Sequence, residues 1–311
     1  MSRAIVFAYH NVGVRCLSVL LAHGVDVACV VTHADSPTET IWFDSVAELA
    51  TRHGIPVITP EDPNAANVVA ELSALRPDFL FSFYYRLMLK APLLALPPRG
   101  AWNMHGSLLP RYRGRVPVNW AIIHGERETG ATLHRMLEKP DAGEIVAQQA
   151  VPILPDDTAA DVFQKVTLAA EMALDSVLPE LLAGRALERP QDLASGSYFG
   201  GRKAEDGRID WTRPAAEVHN LIRAVAPPYP GAFSDTIRGR LHVLRSLHPS
   251  GESGPYGGRP TLFVRNGHLH AECGDGRLLR LLAVELQGSA LAPAPAGDQI
   301  NAIIGNALPL S

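Results

Sequence analysis

Pro77-Asp-Phe-Leu-Phe-Ser-Phe-Tyr-Tyr-Arg86 reads as a turn, a short apolar strand over 79–83 and a polar, aromatic tail. Upstream, Ile5 to Ala8 and Val27 to Thr32 read as strands of the same kind. Helical segments lie between them. Val14, Cys16, Leu17, Val19, Leu20 and Leu21 fit one broad helix face, closed by Gly24. Ser45 and Glu48 form a capping box for a helix that ends near Gly54, and Val68 to Leu75 is a further helix. Ile55 to Ile58 is extended. Strands alternating with helices call for an α/β protein with a Rossmann-like, mostly parallel sheet and helices on both faces. Ligands of such sheets sit at the carboxyl ends of the strands, so Tyr84 to Arg86 and the segment with Asn103 and His105 are expected at that edge.

Downstream, Val118 to His124 suggests a short helix ended at Gly125. Gly130 to Met136 alternates as a strand, and Ile145 to Val151 looks like its hairpin partner. Lys139-Pro-Asp-Ala-Gly143 between them is strong turn chemistry. Asp157 or Thr158 caps an amphipathic helix from Ala159 to Leu182, with Gly184 beyond it. A first domain is therefore expected over 1–189 and a polar, Gly-rich linker over 190–208. A β-rich, barrel-like (OB-like) domain is expected over 209–311. That domain has Trp211 as an anchor and a helix over Ala215 to Val225, broken by the Pro-rich Ala226 to Gly231. Extended runs follow at 241–244, 261–264 and 277–286. Ser289 to Gly297 is low in complexity and reads as loosely held.

The 311 residues suit one larger and one smaller domain. With 47% hydrophobic and 19% charged residues and a net charge of −4, composition argues against nucleic acid or an anionic membrane as partner. No apolar run approaches the roughly 20 residues that span a bilayer. No export signal precedes the first strand, and a cytoplasmic location is expected. Cys16, Cys29 and Cys273 are odd in number and widely spaced, which argues against disulfides and a zinc site. Buried, small hydrophobic roles suit them. Gly13 stands alone where a dinucleotide fingerprint needs three glycines, so no NAD is expected, and no metal either.

Ala101-Trp-Asn-Met-His-Gly-Ser-Leu-Leu-Pro-Arg-Tyr-Arg-Gly-Arg115 is the stretch densest in reactive groups. Asn103 and His105 are two apart, which in an extended chain places both side chains on one side. An amide can donate to an oxyanion and an imidazole can move a proton. A carboxylate that orients the imidazole would complete the set, and Asp141 is one candidate among many. Such a set suits attack by an amine on an acyl-type carbon. An Asn-x-His pair is also common as a satisfied polar pair. Arg111, Arg113 and Arg115 could be a solvated face or an anion site.

The segment Asn103 to Gly114, with Asp141-Ala-Gly143, resembles the motifs of the 10-formyltetrahydrofolate-dependent formyltransferases. The resemblance implies that His105 is a general acid/base, that Asn103 stabilises a tetrahedral intermediate, and that Asp141 holds His105 and raises its pKa. Further stretches are most similar to the family members acting on UDP-4-amino-4-deoxy-L-arabinose, within the bifunctional enzymes of lipid A modification and polymyxin resistance. These are Val6 to His10, Phe81 to Arg86, His105 to Trp120 and Thr132-Leu-His-Arg-Met136. That likeness implies folate contacts by Leu87, Met88 and Leu89 and by Leu137, Glu138, Lys139 and Pro140, with Arg115 on a ligand. On spacing alone, Leu87 to Leu89 would be helix core. The chain carries no second Rossmann unit, so a separate decarboxylase is implied, or a fragment of a bifunctional enzyme. Methionyl-tRNA formyltransferase and formyltransferases of other nucleotide-linked amino sugars are the alternatives. From Gly200 on, 12 basic residues stand against 10 acidic ones, with Lys203 as the single lysine. That near balance weakens the tRNA reading.

Overall fold

The computed structural model describes residues 2–37, 41–291 and 307–310. It divides into two compact units. The first is 1–117, 128–151 and 164–200; the second is 118–127, 152–163 and 201–311.

The first unit opens with β1 (Arg3–Ala8), α1 (His10–Ala22) and β2 (Asp26–Val31). Then come α2 (Val46–Arg52), β3 (Val57–Ile58), α3 (Ala66–Ala74), β4 (Phe79–Phe83), α4 (Ala91–Leu94) and β5 (Ala101–His105). All five residues of β4 are buried, as expected of a strand covered on both faces. Helix α1 buries Cys16, Leu17, Val19 and Leu20 of the expected face, with Val12 added and Val14 and Leu21 only half-buried. Ser45 caps α2 by accepting from the Glu48 N–H at 3.2 Å.

Beyond β6 (Arg113–Gly114) and α5 (Pro117–Ile123) lie β7 (Glu128–Arg135), β8 (Ile145–Pro152), α6 (Ala159–Leu182) and β9 (Tyr198–Phe199). The main sheet runs β3-β2-β1-β4-β5-β7-β8. Its first five strands are parallel, and β7 joins β5 antiparallel. This is the Rossmann-like, mostly parallel sheet expected from the alternation. At α6, Thr158 is the cap: its hydroxyl accepts from the Asp161 N–H at 3.3 Å, and the Asp161 carboxylate accepts from the Thr158 N–H at 2.9 Å.

The second unit contains α7 (Ala215–Ala224), β10 (Ala232–Thr236), β11 (Gly239–Ser246) and β12 (Thr261–Arg265). It continues with β13 (His268–Glu272), β14 (Leu278–Leu286), β15 (Ser289–Leu291) and β16 (Leu308–Pro309). Its antiparallel sheet, β10-β11-β14-β13-β12-β16, has irregular register between β11 and β14 at Val243 to Ser246, which bends and curls a sheet. The result is the smaller, half-barrel, OB-like sheet. Trp211 is fully buried in its core beside Val218, Ile222, Val243 and Leu279. Strands β10 and β13 are additions to the sequence reading. Of the segment read as loosely held, 289–291 pair with β14 and 292–297 lie outside the described residues. All three cysteines are free and buried, and burial pushes the Cys29 thiol up to about 11 and the Cys273 thiol up to about 12. Among the described residues, no helix is long and apolar enough to cross a membrane.

Candidate functional site

Strand β5 carries Asn103 and His105 on one face, and β7 lies antiparallel beside it with His134 directly opposite Asn103. Cross-strand partners put their side chains together. His134 Nδ1 lies 2.9 Å from the Arg135 carbonyl oxygen and therefore donates to it, which leaves Nε2 to accept from the Asn103 amide at 3.1 Å. An amide nitrogen has two N–H groups. One is used on His134, so the other is presented in a fixed orientation.

The chain leaves β7 at Arg135 and turns back, so that Asp141 meets both imidazoles. Its Oδ1 is 3.5 Å from His105 Nδ1 and 3.6 Å from His134 Nε2, both longer than hydrogen bonds. Its Oδ2 accepts from the Gly114 N–H at 2.8 Å. Burial is the largest influence on this carboxyl and works against its charge, but His105, His134 and the Gly114 N–H outweigh it. The carboxyl is held well below the usual carboxylate range. On the far side of the ring, His105 Nε2 donates to the Tyr112 carbonyl oxygen at 2.8 Å.

The loop 106–115 is held from several directions. Thr132 Oγ1 donates to the Ser107 carbonyl at 2.6 Å and accepts from the Leu109 N–H at 3.2 Å. Gln148 donates to the Leu109 carbonyl at 2.9 Å. The Leu109–Pro110 peptide is cis. Tyr112, Val116 and Asp141 hold positive φ values of 56°, 47° and 52°, costly for non-glycine residues and often found at functional sites. Gly114 and Gly143 permit close approach: a Cβ on either would sit 2.1 Å from the Phe199 carbonyl oxygen and 2.0 Å from the Arg135 carbonyl oxygen, respectively.

The three arginines of the loop have different surroundings. Arg111 pairs with Glu128 at 3.5 Å. Arg113 is buried and donates to the Leu193 carbonyl at 3.3 Å. Arg115 is exposed. Leu87 and Met88 lie exposed on a loop, whereas Leu89 is buried in the first unit's core; none is helical. Leu137, Glu138 and Lys139 are exposed and Pro140 is half-buried. Among the described residues, no group of His, Cys, Asp and Glu is placed to hold a metal ion.

The structure thus brings Asn103, His105 and Asp141 together and adds two residues that sequence reasoning left out. His134 stood in plain view in Thr132-Leu-His-Arg-Met136, but only the β5–β7 register gives it a partner. Gln191, placed in a linker by composition, donates to the carbonyls of Asp141 and Gly143 at 3.2 and 2.6 Å. The arrangement offers an oriented amide donor, an imidazole able to carry a proton and an anionic carboxylate to hold it, which suits acyl transfer to an amine.

Comparison with known proteins agrees in fold. The family model described as formyl transferase matches residues 15–178, and that of the formyl transferase C-terminal domain matches 202–297. An N-formyltransferase from Helicobacter canadensis, in complex with folinic acid and dTDP-3-aminofucose, is 21% identical over 90% of this chain and 99% of its own, with a TM-score of 0.71. A sugar N-formyltransferase from a Shewanella species is 18% identical over 79% of this chain and 98% of its own, TM-score 0.63. Glycinamide ribonucleotide transformylase 1 from Symbiobacterium toebii is 24% identical over 62% of this chain and 95% of its own, TM-score 0.52.

Proposed function

The chain belongs to the formyl transferase family, and from that premise we propose that it moves a formyl group from 10-formyltetrahydrofolate to the amine of a nucleotide-linked amino sugar. UDP-4-amino-4-deoxy-L-arabinose is the acceptor that the subfamily stretches favour. The observation that carries the reading is the convergence of Asn103, His105 and Asp141, with the carboxylate 3.5 Å from the imidazole.

In this reading the free-base amine attacks the formyl carbon, and the second N–H of Asn103 donates to the oxyanion that forms. His105 takes the proton that the attacking nitrogen loses and delivers it to N10 of the folate as the C–N10 bond breaks. Asp141 holds the ring in place. The exposed apolar side chains of Leu87, Met88 and Leu137 suit a flat aromatic ligand, with Glu138, Lys139 and Pro140 at its border and Leu89 anchoring the loop from the core. Exposed Arg115 suits an anionic portion of a ligand. The ligands named for the Helicobacter canadensis structure, folinic acid and a nucleotide-linked amino sugar, support both substrate classes. A role in lipid A modification follows from the acceptor.

The test is an assay panel with 10-formyltetrahydrofolate and, separately, UDP-aminoarabinose, other nucleotide-linked amino sugars and methionyl-tRNA. Formylation of UDP-aminoarabinose is expected. Formylation of methionyl-tRNA with none of the sugar nucleotides overturns the reading.

A further inference from the structure

The stretch from Arg189 to Phe199 binds both loops that build the site. Arg189 exchanges two backbone hydrogen bonds with Ile145, each 2.8 Å. Ser197 Oγ accepts from the Tyr112 N–H at 2.8 Å, and β9 pairs with β6 at Arg113 and Gly114. The Tyr112 ring stacks on Phe199 with centroids 5.4 Å apart. Gln191 reaches the other loop, where one NH2 group serves the carbonyls of Asp141 and Gly143.

The Asp141 turn needs such a donor. Asp141 has a φ of 52°, a backbone state that an Asp side chain tolerates at a cost. The two carbonyls that Gln191 serves flank Ala142, in a turn between strands. Gly143 is held at close range against Arg135, so the turn is fixed on one side by that approach and on the other by Gln191. The remaining oxygen of Gln191, Oε1, is buried with no hydrogen-bond partner among the described residues, which costs stability.

We propose that Gln191 is a positioning residue for formyl transfer, fixing the Asp141–Gly143 turn so that the Asp141 carboxylate meets His105. This rests on the reading of the site given above. Gln191 touches no reacting atom in this account; it acts through Asp141.

The test compares the full chain with Gln191→Met, which keeps length without a donor, and Gln191→Glu, which donates only when protonated. In the formyl-transfer assay both variants should lose kcat by about 10²-fold near neutral pH, with KM for folate and acceptor within about threefold. The ratio of Gln191→Glu to wild-type kcat should rise as pH falls, and that of Gln191→Met should not. Wild-type kcat in the Met variant, a loss confined to KM, or a flat ratio for the Glu variant would overturn the proposal. A second readout needs no turnover. The surroundings of Asp141 hold its carboxyl below the usual carboxylate range, so it makes the acid limb of the melting-temperature profile steep. Gln191→Met should flatten that limb as Asp141→Asn does, and an unchanged limb overturns the proposal. A wild-type chain inactive on the whole acceptor panel would sink the functional reading alone, and the melting profile would still decide the role of Gln191.

Discussion

Nδ1 of His105 lies 3.5 Å from Oδ1 of Asp141, and the opposite ring nitrogen lies 2.8 Å from the Tyr112 carbonyl oxygen. Both partners can only accept: Nε2 donates to the carbonyl, and the carboxylate lies beyond hydrogen-bond length from Nδ1. Ser107 Oγ lies 3.3 Å from the Tyr112 carbonyl, but its one proton has a shorter partner in the Arg111 carbonyl at 2.7 Å. If the His105 ring turns toward a substrate, that hydroxyl stays within reach of the Tyr112 carbonyl.

Replacing Asp141 by Asn removes the charge and keeps the shape. We expect kcat to fall by about 10²- to 10⁴-fold, measured by formyl transfer under saturating substrates. The same variant tests stability. The Asp141 carboxyl is depressed in the folded state, so its contribution is fully present above the ordinary carboxylate value of about 4 and is lost as pH falls below it. Wild-type melting temperature should therefore drop more steeply in acid than that of Asp141→Asn, as measured by melts between about pH 3 and pH 7.

The Asn103–His134 contact makes a prediction about coupling. Asn103→Ala should cost about 10²- to 10³-fold in kcat, as for other oxyanion donors. His134→Phe should cost less, about 10- to 100-fold, because it only releases the amide. In a double-mutant cycle, the second change should add little once Asn103 is gone. Additive losses would show that His134 acts by some other route.

Gly143→Ala should destabilise the chain by on the order of 3 kcal/mol, because the new methyl meets the Arg135 backbone oxygen rather than a movable side chain. A drop in melting temperature of several degrees is expected, with activity lost alongside it. Thermal melts with circular dichroism would measure this. An unchanged melting temperature would mean that the turn relaxes freely.

In the second unit, buried His219 accepts from Ser246 Oγ at 2.8 Å and donates to the Pro155 carbonyl at 2.9 Å, a neutral ring satisfied on both sides. Asp156 lies 3.7 Å away, and Arg223 and His248 also face it. Burial, helped by Arg223 and His248 and opposed by the Pro155 bond and Asp156, lowers its pKa from 6.5 to about 4. Between those values the unfolded chain binds a proton that the folded chain refuses. Stability should therefore fall by up to about 3 kcal/mol as pH drops from about 6.5 to about 4. Denaturant titrations at pH 7 and pH 4.5 should show a smaller difference for His219→Gln than for wild type.

Much of the fold was legible locally. The bounds of α6 match the expected Ala159–Leu182, and β7 and β8 lie close to their expected positions, because period and caps are properties of neighbouring residues. Less could be read in the second unit. There β10 follows a Pro-rich break and β13 follows the Asn266–Gly267 turn, and their place depends on pairing with β11, β12 and β14. The site divides the same way. Asn103 and His105 share a face because they are two apart in a strand, a purely local fact.

By itself, then, the sequence determined the alternation that makes a parallel sheet, the strand that carries Asn103 and His105, and the motif that marks the family. The tertiary structure decided that His134 faces Asn103, that Asp141 returns to both imidazoles and that Gln191 secures the turn. It also separated Arg111, Arg113 and Arg115 into three different surroundings. Backbone sterics act over a few residues and can be read in order. Strand register and the return path of a loop are set by hydrogen bonds and packing between residues far apart in the chain, and these exist only once it has folded.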